Sequence, residues 1–420
     1  MMSDLDLPRS VLVLGLARSG EAAARALARR QVNVRAVDRN KELDVGRLRE
    51  AGVEVVLGAE NPALLDDVDL LVKSPGVPNE APLVAAARAC GLRVWSEVEL
   101  GYRLFENPIL GVTGTNGKTT TAELLGAVLR AADRPVAVAG NVGRPLTGLD
   151  GHVSADTWLV CELSSFQLED IERFRPSVGI LLNLTPDHLD RHGTVERYRE
   201  AKLRIFENQQ GDDTAVLPRG FPDVRGAGRR VEFGVDDELP AEPLIRGEHN
   251  RENAAAAAVA ARAIGIPDDP IAEAFRTFPG VAHRLELVRD VAGVSFVNDS
   301  KATNPEAAER ALASYPPGLR VILGGSLKGT PFGTLARAAR ERGVSKAYLV
   351  GEAAGELAEA LGEEGVEFDA SGDLATAVRA AFADASPGDV VLLSPACASY
   401  DQFRDFEERG GRFRALVESL

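Results

Sequence analysis

Short hydrophobic runs alternate with helix-like stretches along most of the chain. In its first part, the runs predict strands at 10–14, 32–37, 53–57, 70–72 and 92–95, with helices at 21–30 and 97–105. Uninterrupted hydrophobic runs of this length are typical of strands that are buried on both faces of a parallel sheet. Because strands and helices alternate, the pattern predicts an α/β fold that begins with a doubly wound, Rossmann-like sheet.

Two more groups of strands are predicted further along. The second group lies at 109–112, 158–161 and 178–182, and the third at 295–297, 320–323, 347–350 and 390–393. Pro279 and Gly280 follow a predicted helix at 271–278 and mark a boundary between the groups. We therefore expect three domains, at 1–106, 107–281 and 282–420, the second with a mostly parallel sheet.

The segment after the strand at 109–112 has the composition of a phosphate-binding loop. A helix follows it, and its residues are Gly114, Thr115, Asn116, Gly117, Lys118, Thr119 and Thr120. Loop amides and a helix N-terminus favour a bound anion, Lys118 adds a charge for the β- and γ-phosphates, and the Thr119 hydroxyl can reach Mg²⁺. The spacing departs from G-x-x-x-x-G-K-[ST], whose first glycine would fall on Val112. The segment predicts a site for a nucleoside triphosphate; the alternative is a glycine-rich turn that binds nothing.

Composition argues against several classes of protein. The 420 residues carry a formal net charge of −15, which disfavours nucleic acid and acidic membranes as partners. Three cysteines lie far apart, a usage typical of a reducing compartment. The longest apolar run, 254–261, is too short to span a membrane, and the acidic start does not have the pattern of a signal peptide. We expect a cytoplasmic protein.

Lysine is rare, so each lysine is informative. Seven of the 48 basic residues are lysine, and arginine occupies the other 41 positions. Lys118, Lys202, Lys301 and Lys328 lie in segments rich in Gly, Asn, Thr or acidic residues. An ammonium group differs from guanidinium in shape and can lose its proton. These four lysines are therefore candidates for chemistry.

The turn after the first strand resembles a dinucleotide-binding fingerprint. Gly15 and Gly20 occupy the first and third glycine positions, but Ala17 replaces the second. Asp38 ends the next strand, where a ribose-binding acid would lie. A single motif of this kind is weak. Another nucleotide in this crevice is favoured over NAD, and a purely structural turn is the third alternative.

Glu162, His188 and Lys202 form a candidate metal-binding set. Glu162 and His188 follow predicted strands of the second group, and Glu162 beside Thr119 and a triphosphate suits Mg²⁺, which prefers oxygen ligands. Helical spacing over 196–207 places Lys202 on an apolar face, pointing inward. Its ammonium could reach solvent along a packed stem, or pair with Glu162. Alternatively, burial lowers its pKa, and the neutral amine captures carbon dioxide to become a carbamate ligand for Mg²⁺.

Segments along nearly the whole chain resemble the Mur ligase family. They are 15–20, 74–77, 114–119, 140–143, 162–167, 183–188, 201–204, 247–250, 283–284, 298–304 and 394–399. The loop at 114–119 is shared with folylpolyglutamate synthetases, whereas 162–167, 298–304 and 394–399 narrow the resemblance to members that add D-glutamate. Departures are small: Thr119 stands where Ser is common, and Tyr400 where Leu also occurs.

The resemblance implies a three-domain architecture and a reaction. An N-terminal Rossmann-like domain would bind the uridine diphosphate substrate, a central P-loop-type domain ATP, and a C-terminal Rossmann-like domain D-glutamate. The carboxylate of UDP-N-acetylmuramoyl-L-alanine would take the γ-phosphoryl group of ATP, and the D-glutamate amine would displace phosphate from the acyl phosphate. The family also implies two Mg²⁺ ions, a carbamylated Lys202, a monomer, and a place in peptidoglycan precursor synthesis.

The resemblance also implies roles for matching residues. Besides the glycine-rich loop, ATP would contact Asn250, Asn253, Arg284 and Asp299. One Mg²⁺ would bind Thr119 and Glu162, and the second His188 and carbamylated Lys202. The uridine substrate would contact Leu16, Asp38, Arg39, Ser74, Gly76, Asn141, Ser164, Gln167 and His188. D-glutamate would contact Lys301, Thr303, Lys328, Ser399 and Phe406, with a carboxylate on Lys328. The catalytic set would be Lys118, Glu162, His188, Lys202 and Lys328.

Other functions fit part of this pattern. Another Mur ligase or a folylpolyglutamate synthetase-like ligase would keep the loop but use a different amino acid. A nucleotide-binding regulatory protein would need the loop but not the four residues Glu162, His188, Lys202 and Lys328 together. An NAD-dependent dehydrogenase would leave the triphosphate loop unexplained.

Overall fold

The computed structural model describes residues 7–245, 247–327, 329 and 331–420. They form three sheets, and the expected α/β class is confirmed. The chain divides into two compact units. The first extends to Pro243 and includes Glu248–Thr277, and the second comprises Leu244–Gly247 and Phe278–Leu420.

The first sheet is parallel throughout, in the order β3-β2-β1-β4-β5. Its strands are β1 (Ser10–Leu14), β2 (Asn33–Asp38), β3 (Glu54–Leu57), β4 (Leu70–Lys73) and β5 (Arg93–Ser96), and its helices are α1 (Arg18–Arg29), α2 (Gly46–Glu50), α3 (Pro82–Ala89) and α4 (Glu97–Leu104), with a 3-10 turn at Pro62–Leu65. Hydrophobic clusters cover both faces of the sheet. All five predicted strands are confirmed, because long buried runs leave little ambiguity.

The second sheet is also parallel, in the order β11-β10-β9-β6-β8-β7. Its strands are β6 (Ile109–Thr113), β7 (Val136–Gly140), β8 (Trp158–Glu162), β9 (Val178–Leu181), β10 (Thr214–Pro218) and β11 (Arg229–Phe233). Its helices are α5 (Lys118–Ala131), α6 (Ser165–Leu168), α7 (Leu189–His192), α8 (Val195–Leu203), α9 (Glu248–Ala263) and α10 (Asp268–Thr277), with 3-10 turns at Thr147–Leu149 and Arg204–Phe206. The helix predicted at 196–207 is thus shorter than expected. It ends at Leu203 and continues as a 3-10 turn.

The third sheet has one antiparallel strand at its edge, in the order β12-β13-β17-β14-β15-β16. Its strands are β12 (Glu286–Val291), β13 (Val294–Asn298), β14 (Arg320–Gly324), β15 (Lys346–Val350), β16 (Phe368–Gly372) and β17 (Val390–Leu393). Its helices are α11 (Pro305–Leu312), α12 (Gly333–Glu341), α13 (Ala354–Glu363), α14 (Leu374–Asp384) and α15 (Phe406–Glu418). The edge strands β12 and β16 were not predicted, because their residues are mostly half-buried or exposed.

Helix α4 joins the first two sheets through two buried carboxyl groups. The Glu99 carboxylate accepts from the backbone N–H groups of Glu172, Arg173 and Phe174 at 2.8–3.0 Å. Glu97 accepts from the backbone N–H and the hydroxyl of Thr147, both at 2.6 Å. Buried carboxyl groups are tolerated only with such partners, so these contacts are specific ties. They explain why the two sheets form one compact unit.

Candidate active site

The loop after β6 forms a cradle at the N-terminus of α5. Gly114 and Gly117 have φ of +153° and +84°, a region that glycine adopts without the steric cost of a side chain. No side chain caps the first turn of α5. The N–H groups of this turn and the positive end of the helix dipole are therefore suited to an anion.

Helix α9 packs directly on the cradle. A Cβ atom on Gly117 would lie 2.2 Å from the Oδ1 atom of Asn253, so no larger residue fits there without a shift. Asn253 and Asn250 are buried, and the Asn253 amide donates to Asn250 Oδ1 at 3.4 Å. Asn253, expected to contact ATP, is thus beside the phosphate loop.

Three residues outside the predicted site hold the cradle in place. The Asn183 side chain accepts from the Asn116 N–H at 2.8 Å and donates to the Asn116 carbonyl at 3.2 Å. The Thr115 hydroxyl donates to the Thr185 carbonyl at 3.0 Å and lies 2.9 Å from the Tyr198 hydroxyl. The signal for Asn183 was its place directly after β9, but sequence reasoning gave it no role.

Lys202 lies against the same loop. Its Nζ donates to the Gly114 carbonyl oxygen at 2.7 Å, and Lys118 Nζ donates to that oxygen at 2.9 Å and to the Thr115 carbonyl at 2.8 Å. Only 2% of Lys202 is exposed. Burial lowers the pKa of Lys202 to about 7, and the charge of Lys118 acts in the same direction. The side chain points inward as predicted, but its hydrogen bond goes to Gly114, not to Glu162.

Two other expected metal ligands lie at the end of β8 and in the first turn of α5. Glu162 is buried at the end of β8, with the Asn141 side-chain amide 3.5 Å from its Oε1, and Thr119 is buried in the first turn of α5. The described residues contain no group of three or more His, Cys, Asp or Glu arranged to hold a metal ion. A metal here would need the threonine hydroxyl, phosphate oxygens or water among its ligands.

His188 has an unusual backbone conformation for a residue other than glycine. Its φ is +50°, its side chain is 50% exposed, and its ring centroid lies 5.1 Å from that of Phe166. Beside it, Ser164 and Gln167 form a capping box at the start of α6, in which Gln167 Oε1 accepts from both the N–H and the hydroxyl of Ser164.

The crevice of the first sheet keeps the fingerprint turn despite Ala17. A Cβ on Gly20 would lie 1.8 Å from the Gly15 carbonyl oxygen, so this close approach requires glycine. The Leu16 N–H donates to the Asp38 carboxylate at 2.6 Å, and the Ser74 hydroxyl donates to the Gly15 carbonyl at 2.7 Å. The structure thus brings these residues together. Gly76 faces open space, and Arg39 pairs with Glu60 at 2.7 Å.

In the second unit, Asp299 is almost fully buried. Its carboxylate accepts from the Ser394 hydroxyl at 2.8 Å and from the Leu285 N–H at 3.2 Å. Burial raises the pKa of Asp299 to about 7. Arg284 lies between His283 and Leu285, which both have positive φ. The two residues expected to contact ATP from this unit are therefore close in its structure.

Four of the residues expected to bind D-glutamate follow β13 or β17 in the chain: Lys301, Thr303, Ser399 and Phe406. A shallow cleft lies there, lined by Thr303, Asn304, Pro305, Ser326, Phe332, Ala396 and Cys397. Ser399 is buried and follows Cys397 by two residues in the chain. Phe406 begins α15, and its ring centroid lies 6.3 Å from that of His283. Lys301 donates its backbone N–H to the His283 carbonyl at 2.9 Å. Lys328 lies outside the described residues.

Sequence reasoning missed Arg409, which ties these loops together. Its buried guanidinium donates to the Ser300 hydroxyl and carbonyl at 2.9 and 2.8 Å, and to the carbonyls of Cys397 and Ala398 at 3.1 and 3.2 Å. Among 41 arginines, nothing in the sequence distinguishes this one.

Comparison with known proteins gives the same family over three regions. Residues 9–96 match the family described as Mur ligase MurD-like, N-terminal domain; residues 112–231 match Mur ligase middle domain; and residues 283–397 match Mur ligase, glutamate ligase domain. A protein of Solibacter usitatus named UDP-N-acetylmuramoylalanine--D-glutamate ligase is 43% identical, covering 97% of both chains. One of that name from Myxococcus xanthus is 40% identical over 98% of each.

This chain belongs to the Mur ligase family.

Solved structures of other Mur ligases share its fold. The UDP-N-acetylmuramate-alanine ligase MurC of Thermotoga maritima aligns with a TM-score of 0.60 at 20% identity, covering 98% of this chain and 99% of that one. MurF of Acinetobacter baumannii aligns with a TM-score of 0.61 at 17% identity, over 98% and 95%. The predicted Mur ligase architecture is therefore confirmed at the level of fold.

The cradle of this Mur ligase fits a bound nucleoside triphosphate and Mg²⁺. Only glycine fits at position 117, the first turn of α5 has no side-chain cap, and Lys118 is adjacent. Thr119 and Glu162 supply the hard oxygen atoms that Mg²⁺ prefers. In the part of the chain that the structure describes, no helix has the length and apolar character needed to cross a membrane.

Proposed function

We propose that this Mur ligase joins D-glutamate to UDP-N-acetylmuramoyl-L-alanine, cleaving ATP to ADP and phosphate, in the synthesis of peptidoglycan precursors. The relatives support this assignment, because those 40–43% identical over 97–98% of the chain are named for this ligation. A carboxylate is a poor acyl donor. Its conversion to an acyl phosphate supplies the leaving group that the amine of D-glutamate displaces.

The observation that best supports this chemistry is the position of Lys118 at the uncapped N-terminus of α5, with its Nζ on the Gly114 carbonyl. Phosphoryl transfer to a carboxylate brings two anions together, so the site must offset their repulsion. Lys118 and the first-turn amides of α5 are placed to hold the β- and γ-phosphates. Asn183 keeps the loop in this shape before the nucleotide arrives.

We propose that Lys202 is carbamylated in the working enzyme. Two ammonium groups on one carbonyl oxygen repel each other, and Lys202 is the more buried of the two. A neutral Lys202 amine can add carbon dioxide, with release of a proton, to give a carbamate anion. The pair would then be a cation beside an anion, and arginine could not replace Lys202.

The proposed metal ligands are Thr119 and Glu162 for one Mg²⁺, and His188 and carbamylated Lys202 for a second. Mg²⁺, when bound, would neutralise charge on the phosphate oxygens and the attacking carboxylate. Glu162 is buried and His188 is half-exposed at its positive-φ turn. Glu162 would thus act at the closed end of the site and His188 at its open end.

The remaining residues are proposed to recognise the substrates. Leu16, Asp38, Arg39, Ser74 and Gly76 would contact the uridine diphosphate, with Asn141, Ser164 and Gln167 at the muramoyl end. Asn250, Asn253, Arg284 and Asp299 would contact ATP. Lys301, Thr303, Lys328, Ser399 and Phe406 would bind D-glutamate; the cleft beside Thr303 supports this. We also propose three domains, at 1–106, 107–281 and 282–420, and a monomer in the cytoplasm, where the three free cysteines stay reduced.

An amino-acid panel tests the function. Purified protein, ATP, Mg²⁺ and UDP-N-acetylmuramoyl-L-alanine are combined with D-glutamate, L-glutamate, L-lysine, L-alanine or diaminopimelate. Phosphate release and the mass of the product are then measured. We expect release with D-glutamate and a product heavier by one glutamyl residue. Faster release with another amino acid would assign the chain to a different amide-forming ligase.

A further inference from the structure

A chain of polar contacts, separate from the proposed catalytic set, connects the first two sheets. Lys73 is buried in β4 and pairs with Asp170 at 2.7 Å. The Asn79 side chain accepts from Lys73 at 2.5 Å and donates to Glu169 at 2.9 Å. The other Glu169 oxygen lies 3.0 Å from Nδ1 of His192, at the end of α7. The contacts thus reach the segment that carries His188.

The His192 ring is held on three sides. Its Nε2 lies 2.9 Å from the Ser165 hydroxyl oxygen, and only 4% of the residue is exposed. Its ring stacks on Phe166, with centroids 5.2 Å apart and planes 9° from parallel. A carboxylate accepts hydrogen bonds, so Nδ1 carries the proton toward Glu169 and Nε2 shares the second hydrogen bond with the Ser165 hydroxyl.

Serine, histidine and glutamate in this order also occur in nucleophilic triads, but here the serine has no access to a substrate. Ser165 is 2% exposed and is the first residue of α6, directly after the capping serine Ser164. A nucleophilic hydroxyl must reach the carbonyl that it attacks. The arrangement therefore acts as an anchor for α7.

Helix α7 positions His188, directly before it, and Arg191 within it. The His188 carbonyl accepts from the N–H groups of Arg191 and His192, at 3.1 and 3.0 Å, which fixes the His188 backbone at its positive φ. The Phe166 ring that stacks on His192 also contacts the His188 ring and lies 4.3 Å from the Arg191 guanidinium carbon. A side chain at positive φ holds its direction only where its surroundings enforce it.

Arg191 extends the connection to the first sheet. Its guanidinium lies 3.5 Å from the Pro75 carbonyl oxygen and 3.3 Å from that of Val77. These carbonyls belong to the loop that begins at Ser74, which is proposed to contact the uridine substrate. The short helix α7 thus carries a contact to the substrate loop, and the proposed metal ligand His188 directly precedes it.

We propose that His192 is a positioning residue for the ligase reaction. Clamped between Ser165 and Glu169, it holds α7 so that His188 faces the second metal position and Arg191 supports the 74–77 loop. This inference rests on the proposed function, because it takes His188 as a metal ligand. The residues that support metal ligands commonly change metal affinity or activity 10–100-fold when they are replaced.

The test replaces His192 by phenylalanine, which keeps a ring on Phe166 and removes both hydrogen bonds. We expect kcat to fall about 10–100-fold, with the KM for D-glutamate unchanged within about twofold. The Mn²⁺ affinity of the protein is measured by electron paramagnetic resonance, with a non-hydrolysable ATP analogue bound. It should fall by a similar factor. His152→Phe is the matched control, because His152 is exposed, and it should behave as wild type in both measurements.

Wild-type Mn²⁺ affinity and kcat in folded His192→Phe would overturn the inference. If that variant does not fold, Ser165→Ala removes the bond to Nε2 and Glu169→Met removes the bond to Nδ1. Each should lower kcat and Mn²⁺ affinity, and their effects should not add, because both act through His192. Wild-type values in both would overturn the inference and leave the proposed function standing. No D-glutamate-dependent phosphate release by the wild-type protein would instead overturn the proposed function, and this inference with it.

Discussion

Lys118 and Lys202 donate to one atom, the carbonyl oxygen of Gly114, at 2.9 and 2.7 Å. Both side chains reach it from different elements, Lys118 from α5 and Lys202 from α8. Burial first, and the charge of Lys118 second, lower the pKa of Lys202 to about 7. The phosphate loop thus has beside Lys118 a buried amine, Lys202, that loses its proton readily, which suits carbamate formation.

Replacement of Lys202 distinguishes an ammonium from a carbamate. Lys202→Arg keeps the charge and should lose nearly all activity, because guanidinium adds no carbon dioxide. Lys202→Ala should also be inactive, with partial recovery on adding formate or acetate and none with alkylamines. Lys346→Arg is the control, since Lys346 pairs with Asp384 through its charge, and it should keep full activity. An active Lys202→Arg enzyme, or rescue by amines, would show that the ammonium is the working form.

Gly117→Ala tests the cradle. A residue with a side chain is strained at the Gly117 φ of +84°. A Cβ atom there would also lie 2.2 Å from Oδ1 of Asn253, so the loop must shift. We expect the KM for ATP to rise at least about tenfold, equivalent to about 1.4 kcal/mol of lost binding. Gly52→Ala is matched in backbone, with φ of +79° and open space around its Cβ. It should lower thermal stability but leave the KM for ATP unchanged; equal KM effects in both variants would refute a specific role for the Gly117 contact.

Much of this fold could be predicted from sequence, because strands buried on both faces give long hydrophobic runs. β1, β6 and β17 were predicted from such runs, and the cradle from its glycines and lysine. The edge strands β11, β12 and β16 were missed, since alternating or mixed residues give no comparable signal. The strands β7 and β10 were missed although their residues are mostly apolar.

Contacts between residues that lie far apart in the sequence could not be predicted, for a different reason. Nothing local marks Asn183 as the partner of Asn116, or Arg409 as the partner of Ser300, because each pair is brought together only by the sheet topology. The inward direction of Lys202 was predictable from helical spacing. Its partner, the Gly114 carbonyl, could not be predicted. Every residue has a backbone carbonyl, so the sequence does not show which one accepts the hydrogen bond.

Glu97 should make stability depend on pH. Burial raises the pKa of Glu97 to about 7, above the 4.5 of an ordinary glutamate, so the folded protein favours the protonated form. Its contribution to stability is full below about pH 4.5 and is lost as the pH rises to about 7, by a few kcal/mol. In Glu97→Gln the side-chain oxygen can still accept from Thr147, but the group cannot ionise. The melting temperature of Glu97→Gln should therefore fall less than that of wild type between pH 5 and 8.

Exposed Glu363→Gln is the control for that measurement. It should follow the wild-type dependence of melting temperature on pH. If Glu97→Gln also follows the wild-type curve, Glu97 is already ionised in the folded protein at pH 5 and the assigned cause is wrong.

The use of D-glutamate defines the proposed function. Its most direct test is the ratio of kcat/KM for the two enantiomers of glutamate, with ATP and UDP-N-acetylmuramoyl-L-alanine saturating. If Lys328, Thr303 and Ser399 hold the carboxylates at fixed points, as proposed, only one enantiomer presents its amine to the acyl phosphate. Misplaced polar groups cost several powers of ten in kcat/KM, so we expect D-glutamate to be favoured at least about a thousandfold. Comparable kcat/KM for D- and L-glutamate would contradict the proposed function.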